Sequence, residues 1–286
     1  MIPHDLQVSD RWKLRTKTLF VGRNPLLMGI INVTPDSFSD GGNYLDPDKA
    51  IEYGLQLAAQ GADILDVGGQ STRPGAHQGI SAEEELSRVM PVLSALCRST
   101  SLPISIDTFE PRVAQEALLA GVEAINDITA FTNPQMLKLA HSSACGVCAM
   151  HMQGTPQTMQ DNPDYEDVVV DVLEFLRQRR DTLIAAGIEQ ARIALDPGIG
   201  FGKTKEHNIA LLSNAWRFHC LDCPLLVGHS RKRFIRQMAA NPNADTLPGT
   251  IAAALALARQ KVQILRIHDV EAMRTALLMF DACGAN

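Results

Sequence analysis

Polar and apolar positions along the chain fall into two alternating patterns. Short apolar, β-branched runs recur at 26–31 (L-L-M-G-I-I), 63–67 (D-I-L-D-V), 103–106 (P-I-S-I), 123–125 (E-A-I), 146–150 (G-V-C-A-M), 192–195 (R-I-A-L), 224–228 (P-L-L-V-G) and 263–267 (Q-I-L-R-I). Nearly continuous apolarity, rather than in-out alternation, predicts strands covered on both faces, as in a parallel sheet flanked by helices. The intervening stretches carry helix punctuation. Asp46 and Pro47 open a helix that stops at Gly61, and Ser81 with Glu84 has capping-box spacing. Pro111 opens a helix closed by Gly121, while Val169, Val172, Leu173 and Leu176 form the apolar stripe of one ending at Gly187.

Eight such strands alternating with helices, in 286 residues, predict a (β/α)8 barrel, a class that typically needs roughly 250 residues. A doubly wound open sheet is the alternative. Residues 26–286 form the expected single barrel. Residues 1–25 stand outside the repeat, and W-K-L-R-T-K-T-L-F-V-G-R-N-P reads as a short N-terminal β-hairpin turning at Gly22, Arg23 and Asn24, placed to plug the bottom of the barrel.

Composition narrows the function classes. With 32 Asp plus Glu against 26 Lys plus Arg, the net charge of -6 gives no electrostatic reason to expect nucleic acid or an anionic membrane as partner. The first twenty residues are charged throughout and lack a signal-peptide core, and the apolar run I-A-A-A-L-A-L-A at 251–258 is too short to span a bilayer. A soluble cytoplasmic protein is the expectation. Two C-x-x-C pairs, Cys145 with Cys148 and Cys220 with Cys223, would form a zinc site only if they converged in space; buried unpaired thiols are the preferred reading.

In a barrel the active site is built where the strands end. Those ends carry Asn32, Asp66, Asp107, Asn126 with Asp127, His151, Asp196, His229 with Ser230, and Arg266 with His268. Their convergence predicts one shared polar mouth, although Asp66 and Asp127 serve equally well as loop or helix caps. Asp107, Asn126 and Asp196 offer acceptors suited to a flat heterocycle rich in N–H donors. Lys232, Arg266 and His268 supply positive charge from the last two strands, where barrels often hold phosphate. The expected ligand therefore has a donor-rich ring at one end and an anion at the other. The long loops 32–45 and 68–80 read as functional lids, with Arg73 beside Pro74 a placed cation for phosphate.

The stretch L-D-P-G-I-G-F-G-K-T at 195–204 looks like a phosphate-cradling nucleotide loop. That pattern needs Gly five residues before the Gly-Lys-Thr, where this chain has Pro197. The match fails, and weight passes to Asp196 at the strand end and to Phe201 as an aromatic face near the mouth. Lys203 is left with a supporting role in the turn.

From Met28 to the last helix, the chain resembles the dihydropteroate synthase family. The matching stretches include M-G-I-I-N-V-T-P-D-S-F-S-D-G-G, G-A-D-I-L-D-V-G-G-Q-S-T-R-P-G, S-I-D-T, I-N-D-I, M-H-M-Q-G-T-P, L-D-P-G-I-G-F-G-K-T, G-H-S-R-K and R-I-H-D-V, all in the family's order. The resemblance implies a TIM barrel that condenses 7,8-dihydropterin-6-ylmethyl diphosphate with 4-aminobenzoate, releasing diphosphate with Mg2+ required. It implies pterin contacts at Asp107, Asn126, Asp196 and Lys232, and diphosphate-side groups at Thr72, Arg73, Arg266 and His268. Asn32 is the implied metal-linked residue. Phe38, Thr72, Pro74, Phe201 and Ser230 are similar to residues that frame the aminobenzoate. A homodimer through the late helices is also implied. Catalysis would fall to Asp107, Lys232, Arg266 and His268.

Gln70 stands where most members have Glu, and Arg233 where some have Ser. A pterin-binding methyltransferase of related barrel type would keep the strand-end Asp and Asn residues but has no use for the diphosphate-side set. A non-catalytic pterin-binding paralogue would share the fold. A glycosidase on Asp107 and Asp196 would lack stacking platforms, with aromatics at 5%.

Overall fold

The computed structural model describes residue 3 and residues 6–34, 46–71 and 79–284. The chain starts with an antiparallel pair, β1 (Arg11–Lys13) and β2 (Thr18–Phe20). Eight parallel strands follow: β3 (Leu26–Asn32), β4 (Ile64–Gly68), β5 (Ile104–Asp107), β6 (Ala124–Asp127), β7 (Gly146–Met150), β8 (Ile193–Asp196), β9 (Leu226–Val227) and β10 (Ile264–Ile267). Each of the eight apolar runs forms one of them. They pair in the order β8-β7-β6-β5-β4-β3-β10-β9, and a parallel bridge between Leu195 and Leu225 joins the two ends. The ring is a (β/α)8 barrel, which removes the open-sheet alternative.

The helix signals act as read. Asp46 accepts from the backbone N–H groups of Asp48 and Lys49 to cap α1 (Pro47–Ala59). Ser81 Oγ accepts from Glu84 N at 3.2 Å to cap α2 (Ala82–Ser99), but the Glu84 carboxylate turns away to Arg88, so only half a capping box forms. Around the ring follow α3 (Pro111–Leu119), α4 (Pro134–Ser143), α5 (Val168–Ala185), α6 (Lys205–Ser213), α7 (Arg233–Met238), α8 (Leu247–Arg259) and α9 (Val270–Ala282).

Strand parity sorts side chains between two cores. In the strands other than β5, odd positions such as Leu65, Val67 and Ile125 face the helices in the main core; β5 has the opposite parity, with Ile104 and Ile106 outward. The remaining strand positions face the barrel axis. Their lower layer, with Met28, Ile64, Ala194 and Leu226, packs on Trp12 and Leu14 from the N-terminal pair in a second core. Trp12 is fully buried and its Nε1 donates to Arg192 O at 2.9 Å. Gly146 makes room for Leu14, since a Cβ there would lie 2.7 Å from Leu14 Cδ2. The extension does plug the barrel.

Its turn, however, is not at Gly22, Arg23 and Asn24. The register pairs Arg11 with Phe20 and Lys13 with Thr18, and Leu14 N donates to Lys17 O at 2.8 Å, so the chain reverses at 14–17. What outweighs the Gly signal is a tertiary anchor. Thr16 donates through both its backbone N (2.7 Å) and its hydroxyl to the carboxylate of Glu123, just ahead of β6. Each C-x-x-C pair is split: Cys145 belongs to the outer core and Cys148 to the inner one, while Cys220 is exposed and Cys223 buried.

Because Trp12 closes the inner core from below, Trp12→Ala is expected to lower the unfolding free energy by about 3–5 kcal/mol. Chemical denaturation followed by circular dichroism checks this, and a loss under about 1 kcal/mol would show that the plug does not stabilise the barrel.

Candidate active site

The upper layer of inward-facing positions is polar. Parity that puts Ile64, Ala124, Ala194 and Ile264 in the lower layer puts Asp66, Asn126, Asp196 and Arg266 two residues further on, above them. Asn126, Asp196 and Arg266 line a cavity of about 1410 Å³ at the C-terminal ends of the strands, and Asp66 lies buried behind them.

Arg266 crosses the floor of this cavity. Its Nε donates to Asp66 Oδ2 at 2.6 Å and its Nη2 to Asp107 Oδ2 at 2.7 Å. Asn126 Nδ2 donates to the same Asp66 oxygen at 3.2 Å, and Asp66 is fully buried. One guanidinium thus ties β4, β5 and β10 together, while Asp66 orients both Arg266 and Asn126. Burial works against the charge of Arg266, but Asp66 and Asp107 outweigh it, so Arg266 is held ionised more firmly than usual.

The carboxylates bear the opposite strain. Burial pushes Asp107 up to about 7 against the pull of Arg266. Burial likewise raises Asp196 to about 6, opposed by the Gly198 N–H, which donates to Oδ1 at 2.7 Å, and by Lys232. Lys232 is drawn down to about 8 by burial, with Asp196 holding it up. Gly228, just after β9, leaves a gap beside them: a Cβ there would lie 3.8 Å from Arg266 and 4.0 Å from Asp196 Oδ2. Acceptors, cations and an open flat space share one floor.

The Gly-rich turn after β8 rises beside that floor. Gly198 has φ +68°, and a Cβ on it would sit 1.8 Å from His151 O, so the glycine serves the turn and not a phosphate. Phe201 presents its ring to Lys232, whose Nζ lies 4.1 Å from the ring centre. Lys203, expected only to shape the turn, is buried; its Nζ donates to Phe201 O and meets His151 Nδ1, each at 2.9 Å. On the far rim, Ser230 Oγ accepts from His268 N at 3.2 Å and lies 3.0 Å from His268 Nδ1.

Of the residues singled out in the sequence, Asp107, Asn126, Asp196, Lys232 and Arg266 line the floor of the cavity, and Asn32, Phe201, Ser230 and His268 its rim. Phe38, Thr72, Arg73 and Pro74 lie outside the described residues. Three strand-end residues are committed elsewhere. Asp127 accepts from Thr129 and Phe131 in its own loop, His229 is buried against Thr250 O, and His151 pairs with Lys203. Sequence reasoning left Asp66 open between loop cap and ligand contact. Its inward parity on β4, the same that marks Asn126 on β6, was the available signal.

The fold and site are those of a (β/α)8 enzyme whose mouth is built of acceptors and cations, and a family model described as a pterin binding enzyme matches residues 28–268. The dihydropteroate synthase of Neisseria meningitidis serogroup B is 46% identical over 269 residues, covering 92% of this chain and 94% of its own. A solved Yersinia pestis dihydropteroate synthase in complex with a sulfonamide drug superposes with TM-score 0.89 at 40% identity, covering 96% of this chain and 100% of that one. One from Xanthomonas albilineans with 7,8-dihydropteroate gives TM-score 0.86 at 39% identity, covering 96% and 99%. The chain belongs to the dihydropteroate synthase family.

Keeping a charged Asp196 in this floor opposes folding. Its carboxyl is raised from 3.8 to about 6, so the folded state binds the proton more tightly; wild-type stability gains as pH falls from 6 toward 4 and is lower above it. Asp196→Asn is therefore expected to raise the Tm by roughly 2–6 °C at pH 7.5, with the difference vanishing toward pH 4. Thermal unfolding of both proteins across that range is the check; a lower Tm for the variant at pH 7.5 would contradict it.

Proposed function

We infer that this chain is a transferase that condenses 7,8-dihydropterin-6-ylmethyl diphosphate with 4-aminobenzoate, giving 7,8-dihydropteroate and diphosphate. The observation that carries this is the shared floor: Asp107, Asn126, Asp196, Lys232 and Arg266 around one cavity, in a chain related over its length to enzymes of that name.

In this reading Asp196 and Asn126 meet the amino and ring N–H edge of the pterin, with Gly228 leaving room for the flat ring. Asp107 and Lys232 complete the pterin set. Arg266, expected on the diphosphate side, has two of its nitrogens committed to Asp66 and Asp107. We therefore assign it to the junction, where it holds the pterin floor and faces the departing anion. His268, with the loop residues Thr72 and Arg73, takes the diphosphate. Phe201 and Ser230, with Phe38, Thr72 and Pro74, frame the aminobenzoate.

The arylamine nitrogen attacks the pterin methylene as its C–O bond to diphosphate breaks, and the amine proton is lost to solvent or diphosphate. No protein nucleophile enters. The buried carboxylates stabilise positive charge that develops on the pterin, and the cations stabilise the leaving anion.

Mg2+ is the proposed cofactor. Among the described residues no three His, Cys, Asp or Glu side chains group as a metal site, and Asn32 offers one neutral oxygen at the cavity rim. That donor set fits an ion carried chiefly by the substrate's diphosphate and water, with Asn32 as its protein ligand. When bound, it would neutralise the leaving diphosphate. We also propose a cytoplasmic homodimer; among the described residues no helix is long and apolar enough to cross a membrane, and Leu278 and Met279 of α9 are exposed.

Purified protein given both substrates and Mg2+ is expected to form dihydropteroate, and tight pterin binding without product would point instead to a non-catalytic paralogue. Asp107→Ala and Lys232→Ala should each lower kcat/KM by about 100-fold or more in steady-state assay; near-normal turnover would overturn their assignment. Chelation with EDTA should abolish product formation, and added Mg2+ should restore it. Undiminished activity in excess EDTA would remove the metal from the scheme.

A further inference from the structure

Phe201 sits on a turn with three glycines at positive φ, Gly198, Gly200 and Gly202, a backbone with little stiffness of its own. Yet the turn is held almost atom by atom from outside. Gly200 O accepts from Gln160 Nε2 at 3.0 Å, Phe201 O from Lys203 Nζ at 2.9 Å, and Gly202 O from the Tyr165 hydroxyl at 2.7 Å. Gly200 N donates to Asn208 Oδ1 at 2.7 Å. Gln160 and Tyr165 come from the excursion between β7 and α5, and so does His151, which holds Lys203 from its other side at 2.9 Å. His151 is itself wedged, with its ring edge-on to Phe175 at 4.8 Å, while Tyr165 stands edge-on to His207 at 5.0 Å.

We propose that the β7–α5 excursion positions the aminobenzoate wall, and that buried Lys203, shared between Phe201 O and His151 Nδ1, is the positioning residue through which it acts. The inference rests on the reading of Phe201 as part of the aminobenzoate site. Lys203 reaches the cavity wall and lies within the field of Asp196, but it is 4% exposed, both hydrogen bonds of its ammonium go to Phe201 O and His151 Nδ1, and the Lys232 ammonium is the one that lies over the Phe201 ring. Burial also draws Lys203 to about 7 and His151 to about 3, so the imidazole stays neutral and accepts while the lysine donates in either state. Without this grip, the Phe201 carbonyl is released inside the protein and the ring loses its fixed approach to the second substrate.

The distinguishing readout is a split between the two substrates. Lys203→Met keeps the volume and removes the donors; Tyr165→Phe removes a single hydroxyl and keeps the packing. With each substrate varied in turn, Lys203→Met should raise the KM for 4-aminobenzoate about tenfold and Tyr165→Phe about threefold, both leaving the KM for pterin diphosphate within about twofold. Should Lys203→Met fail to fold, Tyr165→Phe carries the test alone. Equal rises in both KM values would mean general loosening and overturn the inference. Phe201→Ala serves as reference: if it raises the aminobenzoate KM while the other two variants do not, the inference falls and the wall stands. If Phe201→Ala has no effect, the reading of the wall falls, and the inference with it.

Discussion

The contact on which the site depends is the Arg266 guanidinium lodged between Asp66 and Asp107. A barrel interior is a poor place for three carboxylates, and removing one partner from a buried charge network leaves the others uncompensated. With Arg266 in place, Asp66 stays fixed, Asn126 is oriented by Asp66, and Asp107 is left with its second oxygen for the cavity. Of the five floor residues, Asp107 and Arg266 lie on strands so joined, and Asp66 of β4 is buried behind them. The electrostatic arrangement comes first, and the ligand site is its exposed upper face.

That arrangement costs stability, and the cost is visible as carboxyls pushed up and lysines drawn down by burial. It is offset elsewhere. Directly beneath the polar layer, Trp12 and Leu14 complete an apolar layer with Met28, Ile64 and Leu226, sealing the barrel from below. The N-terminal pair is thus part of the site's support: a floor of buried charges is tolerable because the volume under it is filled and dry. A ligand that brings an N–H edge and an anion would relieve the same strain from above by compensating the buried carboxylates and lysines.

Much of this was legible in the sequence. All eight strands could be placed because parallel strands covered on both sides are apolar throughout, and their ends announced the mouth because polar residues there interrupt those runs. Helix starts at Asp46, Ser81 and Pro111 followed from caps that act locally. What escaped the reading depended on distant partners. The hairpin turned at Arg15 and Thr16 because Glu123, over a hundred residues away, receives Thr16. Asp66 and Asp127 occupy similar strand-end positions, yet one faces inward to Arg266 and the other outward to its own loop. Parity separates them only once the strand bounds are known. Lys203 was set aside with a failed nucleotide motif, and nothing local says that its nitrogen reaches His151.

The two lysines of the mouth show how one charge type is put to two uses. Lys232 precedes α7 and meets both Phe201 and the field of Asp196, so its ammonium belongs to the ligand space. Lys203 lies in the turn before α6 at the cavity wall, with its ammonium spent on a backbone carbonyl and a neutral imidazole. The first is placed by strand geometry, which is stiff; the second makes a glycine-rich loop stiff by tying it to another loop. A site for two substrates built this way is divided by construction. The half made of strand ends cannot shift without breaking the Arg266 network, whereas the half carried by the turn can be re-aimed by changing residues that touch no ligand. Under the proposed assignment of Phe201, differences in affinity for the second substrate or its competitors should therefore arise in the supports of that ring, while the floor keeps its residues and its geometry.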